Sequence, residues 1–227
     1  MIKYVRIANF KSLAAVTIPL EHFTCLVGMN GAGKSTVLQA LDFVSQLMRG
    51  DVQGWLDRRG WLAADLNCKL IKERNITFDV AFVTSDGTKL KWKATFNRSE
   101  LRCTQERLAW KNPSSGQVRT FNSNGQNFSI GGRESHPIAF EYQGSILSAL
   151  KDSELSPVLL EFRDALRNFR SLELLSPEKL RKSARATEHD IGSGGEKLSA
   201  YLDTIKGERK TKLVALLNKF YPALVDY

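Results

Sequence analysis

Gly28-Met29-Asn30-Gly31-Ala32-Gly33-Lys34-Ser35 is the stretch on which the reading of this chain turns. It fits G-x-x-x-x-G-K-[ST], a pattern in which each residue type has a task. Glycines let successive backbone N–H groups turn inward around phosphates, and the lysine ammonium reaches the β- and γ-phosphates. The Ser35 hydroxyl would ligate Mg²⁺, and the helix beginning there points its positive end at the anion. Context separates such a loop from a chance glycine turn. Phe23-Thr24-Cys25-Leu26-Val27 directly before it is short, apolar and β-prone, and residues 35–48 carry apolar side chains at helical spacing. Strand, glycine loop and helix together predict a nucleoside triphosphate site. Its residues would be Gly28, Met29, Asn30, Gly31, Ala32, Gly33, Lys34, Ser35 and Thr36.

Outward from the loop, residues 2–8 and 14–20 alternate in polarity on either side of the corner Asn9-Phe10-Lys11-Ser12. An antiparallel pair therefore precedes the phosphate-loop strand, which comes third. Residues 50–60 carry glycines and tryptophans, with Arg58-Arg59 at their end. The period then switches to two over residues 76–83 and 89–96, joined by the turn Ser85-Asp86-Gly87, and residues 100–110 read as a further strand. That is an antiparallel meander with one wet face. Residues 112–133, rich in Asn, Ser, Gly and Gln, read as a loop or a long irregular hairpin connection, and residues 138–142 as a short strand. Beyond Gln143-Gly144 the chain turns helical: Leu159, Phe162, Leu166 and Phe169 share a helix face, Pro177 opens a short helix, and residues 196–206 and 208–220 form two more.

At 227 residues the chain has room for one large domain or two small ones, and 42% apolar with 25% charged content is ordinary for a soluble globular protein. No apolar run is long enough to span a membrane, and the N-terminus reads as a strand, not a secretory signal. Cys25, Cys68 and Cys103 are scattered and lack metal-ligand spacing, which predicts reduced thiols in a cytoplasmic protein. The net charge of +9 suits either a polyanionic partner or a plain solvated surface.

The Asn9-Phe10-Lys11-Ser12 corner, the amphipathic strand after it, the loop and the helix containing Ala40-Leu41-Asp42-Phe43 together resemble the SMC/RecF branch of ABC-type ATPases. Within that branch they look most like the OLD-type and related predicted ATPases of bacteria. The resemblance implies an α/β fold of the P-loop NTPase class, an ABC-type head with an antiparallel β lobe followed by a mainly helical lobe. The lobes are expected at residues 1–145 and 146–227, the second truncated before the Walker B strand. It further implies ATP and Mg²⁺ as cofactors, and a homodimer or higher oligomer in which two heads sandwich two ATP molecules. Gln143 stands where such ATPases place a glutamine contacting Mg²⁺ and the attacking water. Lys34 and Gln143 are thus the expected catalytic residues, and Ser35 and Gln143 the expected metal contacts. Arg58 or Arg59 stands where these heads carry an arginine near phosphates or DNA, but a solvated arginine is the favoured reading there.

Gly192-Ser193-Gly194-Gly195-Glu196 has two readings: an ABC signature motif, or a helix cap upstream of the true signature, with Ser193 as the cap. The second is favoured, because no four apolar residues followed by Asp-Glu come after it. A Walker B aspartate and a catalytic glutamate are not found, and His22, His136 and His189 read as surface residues. The chain therefore reads as the N-terminal portion of a longer ATPase, one that acts on DNA or controls a nuclease or other effector in antiviral defence or repair. The alternatives are a nucleotide-binding subunit of a membrane transporter and a non-hydrolysing, ATP-clamped scaffold.

Overall fold

The computed structural model describes residues 1–111, 116–132, 135–169, 171–172, 177–181, 191–192 and 194–221. The chain divides into two units, Met1–Phe169 and Arg170–Tyr227. The first is built on one antiparallel sheet of strands β1 (Ile2–Phe10), β2 (Leu13–Pro19), β3 (Ile76–Val83), β4 (Lys89–Asn97), β5 (Arg102–Lys111), β6 (Val118–Ser123), β7 (Asn127–Ile130) and β8 (Ser135–Pro137). Their spatial order is β2-β1-β3-β4-β5-β6-β7-β8. Helices α1 (Lys34–Arg49) and α2 (Val52–Arg59) are inserted between β2 and β3, and α3 (Pro157–Arg167) follows the sheet.

Alternation decides which sheet face is dry. Ile76, Phe78, Val80 and Phe82 of β3 are buried, and they pair in register with Phe96, Ala94, Trp92 and Leu90 of β4. Against this face lies α1, whose Phe43 stacks on Phe10 and Trp55 and meets Phe96 edge-on at 5.1 Å. Helix α3 docks through Phe162, which contacts Phe82 and Trp92. The far ends of α1 and α3 are tied reciprocally. Arg49 donates to the Arg167 carbonyl at 2.7 Å, and Arg167 donates to the Met48 carbonyl at 2.7 Å. Each guanidinium satisfies carbonyls that a helix C-terminus leaves open, at its negative end.

Four readings of the sequence are corrected. Residues 23–27 form no strand: Phe23 is 84% and Val27 90% exposed, because a strand needs a neighbour for its N–H and C=O groups and none lies beside them among the described residues. The stretch 112–133 contains β6 and β7, whose Phe121 and Phe128 face the core. The short strand expected at 138–142 lies instead at β8. Residues 50–60 contain the unexpected helix α2, closed by Gly60 in the left-handed region.

The second unit contains α4 (Pro177–Leu180), α5 (Leu198–Thr204) and α6 (Glu208–Phe220). Helix α6 is braced by an exposed Lys212–Glu208 pair at 2.6 Å. Among the described residues no helix is long and apolar enough to cross a membrane.

Candidate functional site

The phosphate loop projects from the N-terminal end of α1. Gly31 and Gly33 have φ of +82° and +86°, a region that side chains rarely enter. The first helical hydrogen bond runs from Val37 N to Gly33 O at 2.9 Å, so the N–H groups of Lys34, Ser35 and Thr36 have no acceptor within the helix. No acidic residue occupies the first turn, and no side chain caps it. Lys34 sits there instead, its ammonium donating to the Gly28 and Met29 carbonyls at 2.7 Å each. A cation at the positive end of a helix is unfavourable by itself. Uncapped donors and a lysine, with no acid anywhere in residues 28–36, make a site complementary to a phosphate chain. Those donors fit a triphosphate, and the Ser35 hydroxyl would be the divalent-ion ligand.

The corner at residues 9–12 fixes the loop from the other side. Asn9 is fully buried at φ +63°; its amide donates to the Glu73 and Asn75 carbonyls, and its oxygen accepts from Cys68 N. Phe10 enters the core. Ser12 Oγ donates to Thr36 Oγ1 at 3.0 Å, tethering the corner to the loop's last residue. Between them Lys11, at φ +50°, holds its ammonium 2.9 Å from the centre of the Trp61 ring. Burial, then the neighbouring Arg59 charge, lower the Lys11 pKa to about 8.

Arg59 itself lies against Trp55 and Trp61 and forms an ion pair of 2.7 Å with Asp42, which also accepts from the Trp55 indole N–H. It is largely buried, not the solvated arginine that the sequence suggested. Arg58 is exposed and paired with Asp51 at 2.9 Å. The Lys11–Trp61–Arg59–Trp55 stack escaped sequence reasoning, though the two tryptophans flanking Arg58-Arg59 were its visible signal.

Gln143 is not brought to the loop. Its side-chain oxygen accepts from Gln53 N at 2.9 Å, and Ser145 N donates to Leu47 O at 2.8 Å. The first contact is with the start of α2 and the second with the C-terminal end of α1, a helix of 16 residues. At ~1.5 Å rise per residue, Leu47 stands roughly 20 Å along the helix from Lys34. Gly144 locks the chain there: it has φ +69°, and a Cβ would stand 2.3 Å from the Leu47 carbonyl oxygen. The expected pairings of Lys34 with Gln143 and of Ser35 with Gln143 are therefore absent from this arrangement. Among the described residues no cluster of three or more His, Cys, Asp or Glu could hold a metal ion. In the second unit, Gly194 N donates to Glu196 Oε2 at 2.8 Å and the helix begins at Leu198. Ser193, on which the choice between signature and cap depends, lies outside the described residues, as does His189.

One further polar centre was not foreseen. Glu106 on β5 is buried beneath the sheet, accepting from the Trp92 indole N–H, the Ser145 hydroxyl and Ile146 N. Burial outweighs these three donors and raises its pKa to about 7. It is a strut between the sheet and the 3₁₀ turn at residues 146–148.

A family model described as an AAA ATPase domain matches residues 1–225. Among curated proteins, the OLD nuclease of Thermus scotoductus is 46% identical over 44 residues, which are 19% of this chain and 8% of that protein. The chain thus matches only a small part of that relative's length. Among solved structures, an SMC ATPase, described in terms of ATP-driven dimerization and DNA-stimulated activation, covers 94% of this chain. This chain covers 97% of that one, at 15% identity and a TM-score of 0.38.

Proposed function

The chain belongs to the AAA ATPase domain family, and on that footing we propose that it is an ATP-binding head that closes on a second head when ATP is bound. The observation that carries this reading is the exposed phosphate loop with Lys34 at the uncapped start of α1. Residues 28–32 are open to solvent, so a bound nucleotide would keep an uncovered side. A second copy is the proposed cover, and ATP would favour the closed pair because it binds that arrangement better. Lys34 would hold the β- and γ-phosphates, and Ser35 the Mg²⁺. Closure would act on DNA or control a nuclease or other toxic effector, in antiviral defence or DNA repair, in the cytoplasm.

Sedimentation with Mg²⁺ and a non-hydrolysable ATP analogue tests this. The wild-type chain should double in mass with the analogue, and Lys34→Ala should stay monomeric. A wild-type chain that binds the analogue and remains monomeric would contradict closure.

A further inference from the structure

Within the first unit, α1, α2 and α3 pack on one face of the sheet, and the other face has a composition that plain solubility does not explain. In-register pairing places Arg6, Asp79, Lys93, Arg107 and Asn122 in one row across β1, β3, β4, β5 and β6. The next rows bring Lys91 opposite Ala109, and Lys89 opposite Lys111. Six cations (Arg6, Lys89, Lys91, Lys93, Arg107 and Lys111) thus share these rows with one carboxylate, Asp79, which pairs with Lys91 at 3.2 Å and reaches Lys93 at 4.0 Å. Arg6, Lys89, Arg107 and Lys111 make no ion pair among the described residues. Two pairs, Lys89–Lys111 and Lys93–Arg107, set like charges directly opposite each other on neighbouring strands. Such pairs destabilise a sheet. A surface shaped only for solubility would intersperse both signs.

The shape narrows the partner. A depression of about 620 Å³ lies along the central row, lined in part by Arg6, Asp79, Lys93, Thr95, Arg107 and Asn122 and bordered also by the buried Glu106. A second of about 530 Å³, lined in part by Lys3, Lys89, Lys91 and Lys111, lies along the far end of the same face. Three strand spacings from β1 to β5 span ~14 Å, as do four residue rises from Lys89 to Lys93. Duplex DNA carries a charge every ~1.7 Å of axis, so that length presents about eight phosphates, roughly half on the near side. Four unpaired cations meet them. No exposed ring offers a stacking platform in the central depression; Tyr4, on the row beside it, donates its hydroxyl to Asp79 at 2.8 Å. Single-strand binding relies on such platforms. Threonine and amide side chains between the cations suit phosphate and sugar contacts that carry no sequence information.

We propose that the outer face of the sheet, centred on Arg6, Lys93 and Arg107, docks the backbone of duplex DNA. This deepens the DNA branch of the proposed function and does not depend on nucleotide. The test is fluorescence anisotropy of the full chain, without nucleotide, on a labelled duplex of ~30 base pairs, about three helical turns, with salt varied over about 50 to 200 mM. The quadruple variant Arg6→Gln, Lys89→Gln, Arg107→Gln and Lys111→Gln should bind at least tenfold more weakly. Its salt slope should fall by about 3 to 4, near 0.9 per lost phosphate contact. Its melting temperature should hold or rise, since one opposed pair is removed and another relieved. A control variant, Lys210→Gln, Lys212→Gln and Lys219→Gln on α6, should bind as the wild type does. Equal binding by the quadruple variant, equal loss in the control, or tighter binding of a single strand than of the duplex would overturn the proposal. Lys34→Ala separates the two readings: it should lose nucleotide-driven pairing while keeping nucleotide-free DNA binding.

Discussion

Lys34 stands where helix electrostatics disfavour it, at the positive end of α1 with no acid in the first turn to offset it. Among the described residues its charge is answered by two loop carbonyls. Lys34→Ala should therefore leave the melting temperature unchanged or slightly raised, while nucleotide affinity falls by two orders of magnitude or more, about 3 kcal/mol; calorimetric titration with Mg·ATP and a thermal melt check both halves. The residue was legible because its neighbours spell out a mechanism in consecutive positions. Glu106 was not, since its partners Trp92, Ser145 and Ile146 lie 14 to 40 positions away and the strand pattern gives no hint of them. Its pKa is raised from 4.5 to about 7, so the folded state holds the proton more tightly than the unfolded chain. That contribution to stability is fully present below about pH 4.5 and is lost as pH rises through 7. It is on the order of 3 kcal/mol at most. Urea midpoints of wild type and Glu106→Gln across this window should converge or cross as pH rises, with the wild type losing stability relative to the variant. Parallel pH profiles would count against a buried titrating carboxylate.

At the scale of elements, β1 to β5, α1 and α3 follow from periodicity, because each buries one face against a partner supplied by the same pattern, and α6 follows from its helical spacing although none of its residues is buried. Residues 23–27 show the limit of that reasoning. Their composition is that of a strand, but pairing is a property of two segments, and the pattern of one cannot supply the other. Strands β6 and β7 were hidden by Thr, Asn and Ser on their wet sides, while Phe121 and Phe128, with Ile130 half-buried beside them, carried the core signal. Helix α1 is the element on which the site depends. Its Phe43 touches four aromatic neighbours, so Phe43→Ala should cost about 3 to 5 kcal/mol in denaturant unfolding. Gly144 governs the other end of the same helix. Gly144→Ala forces a Cβ onto the Leu47 carbonyl in a left-handed backbone and should cost about 2 to 3 kcal/mol or more. Because that damage lies at the end of α1 remote from the loop, nucleotide affinity of the folded fraction should change little. A comparable loss of affinity would mean that Gln143 and its neighbours do reach the site.

The first unit as a whole is a sheet with one dry face, one basic face, and a helix clamped at its far end and open at the loop. Two reciprocal arginine contacts anchor α1 at Arg49, and the Ser12–Thr36 bond steadies its start. The corner at residues 9–12, legible as a motif, proves to be a sequence of four distinct tasks: backbone hub, core ring, cation on Trp61, and tether to Thr36. The placement of Gln143 was not legible, because position in the sequence stood in for position in space. The central claim is that the loop at residues 28–36 binds a nucleoside triphosphate, and isothermal titration of the chain with Mg·ATP tests it most directly. Saturable binding at one site per chain, abolished in Lys34→Ala and retained in Gln143→Ala, is the predicted result. Binding of equal strength in Lys34→Ala, or none in the wild type, would contradict it.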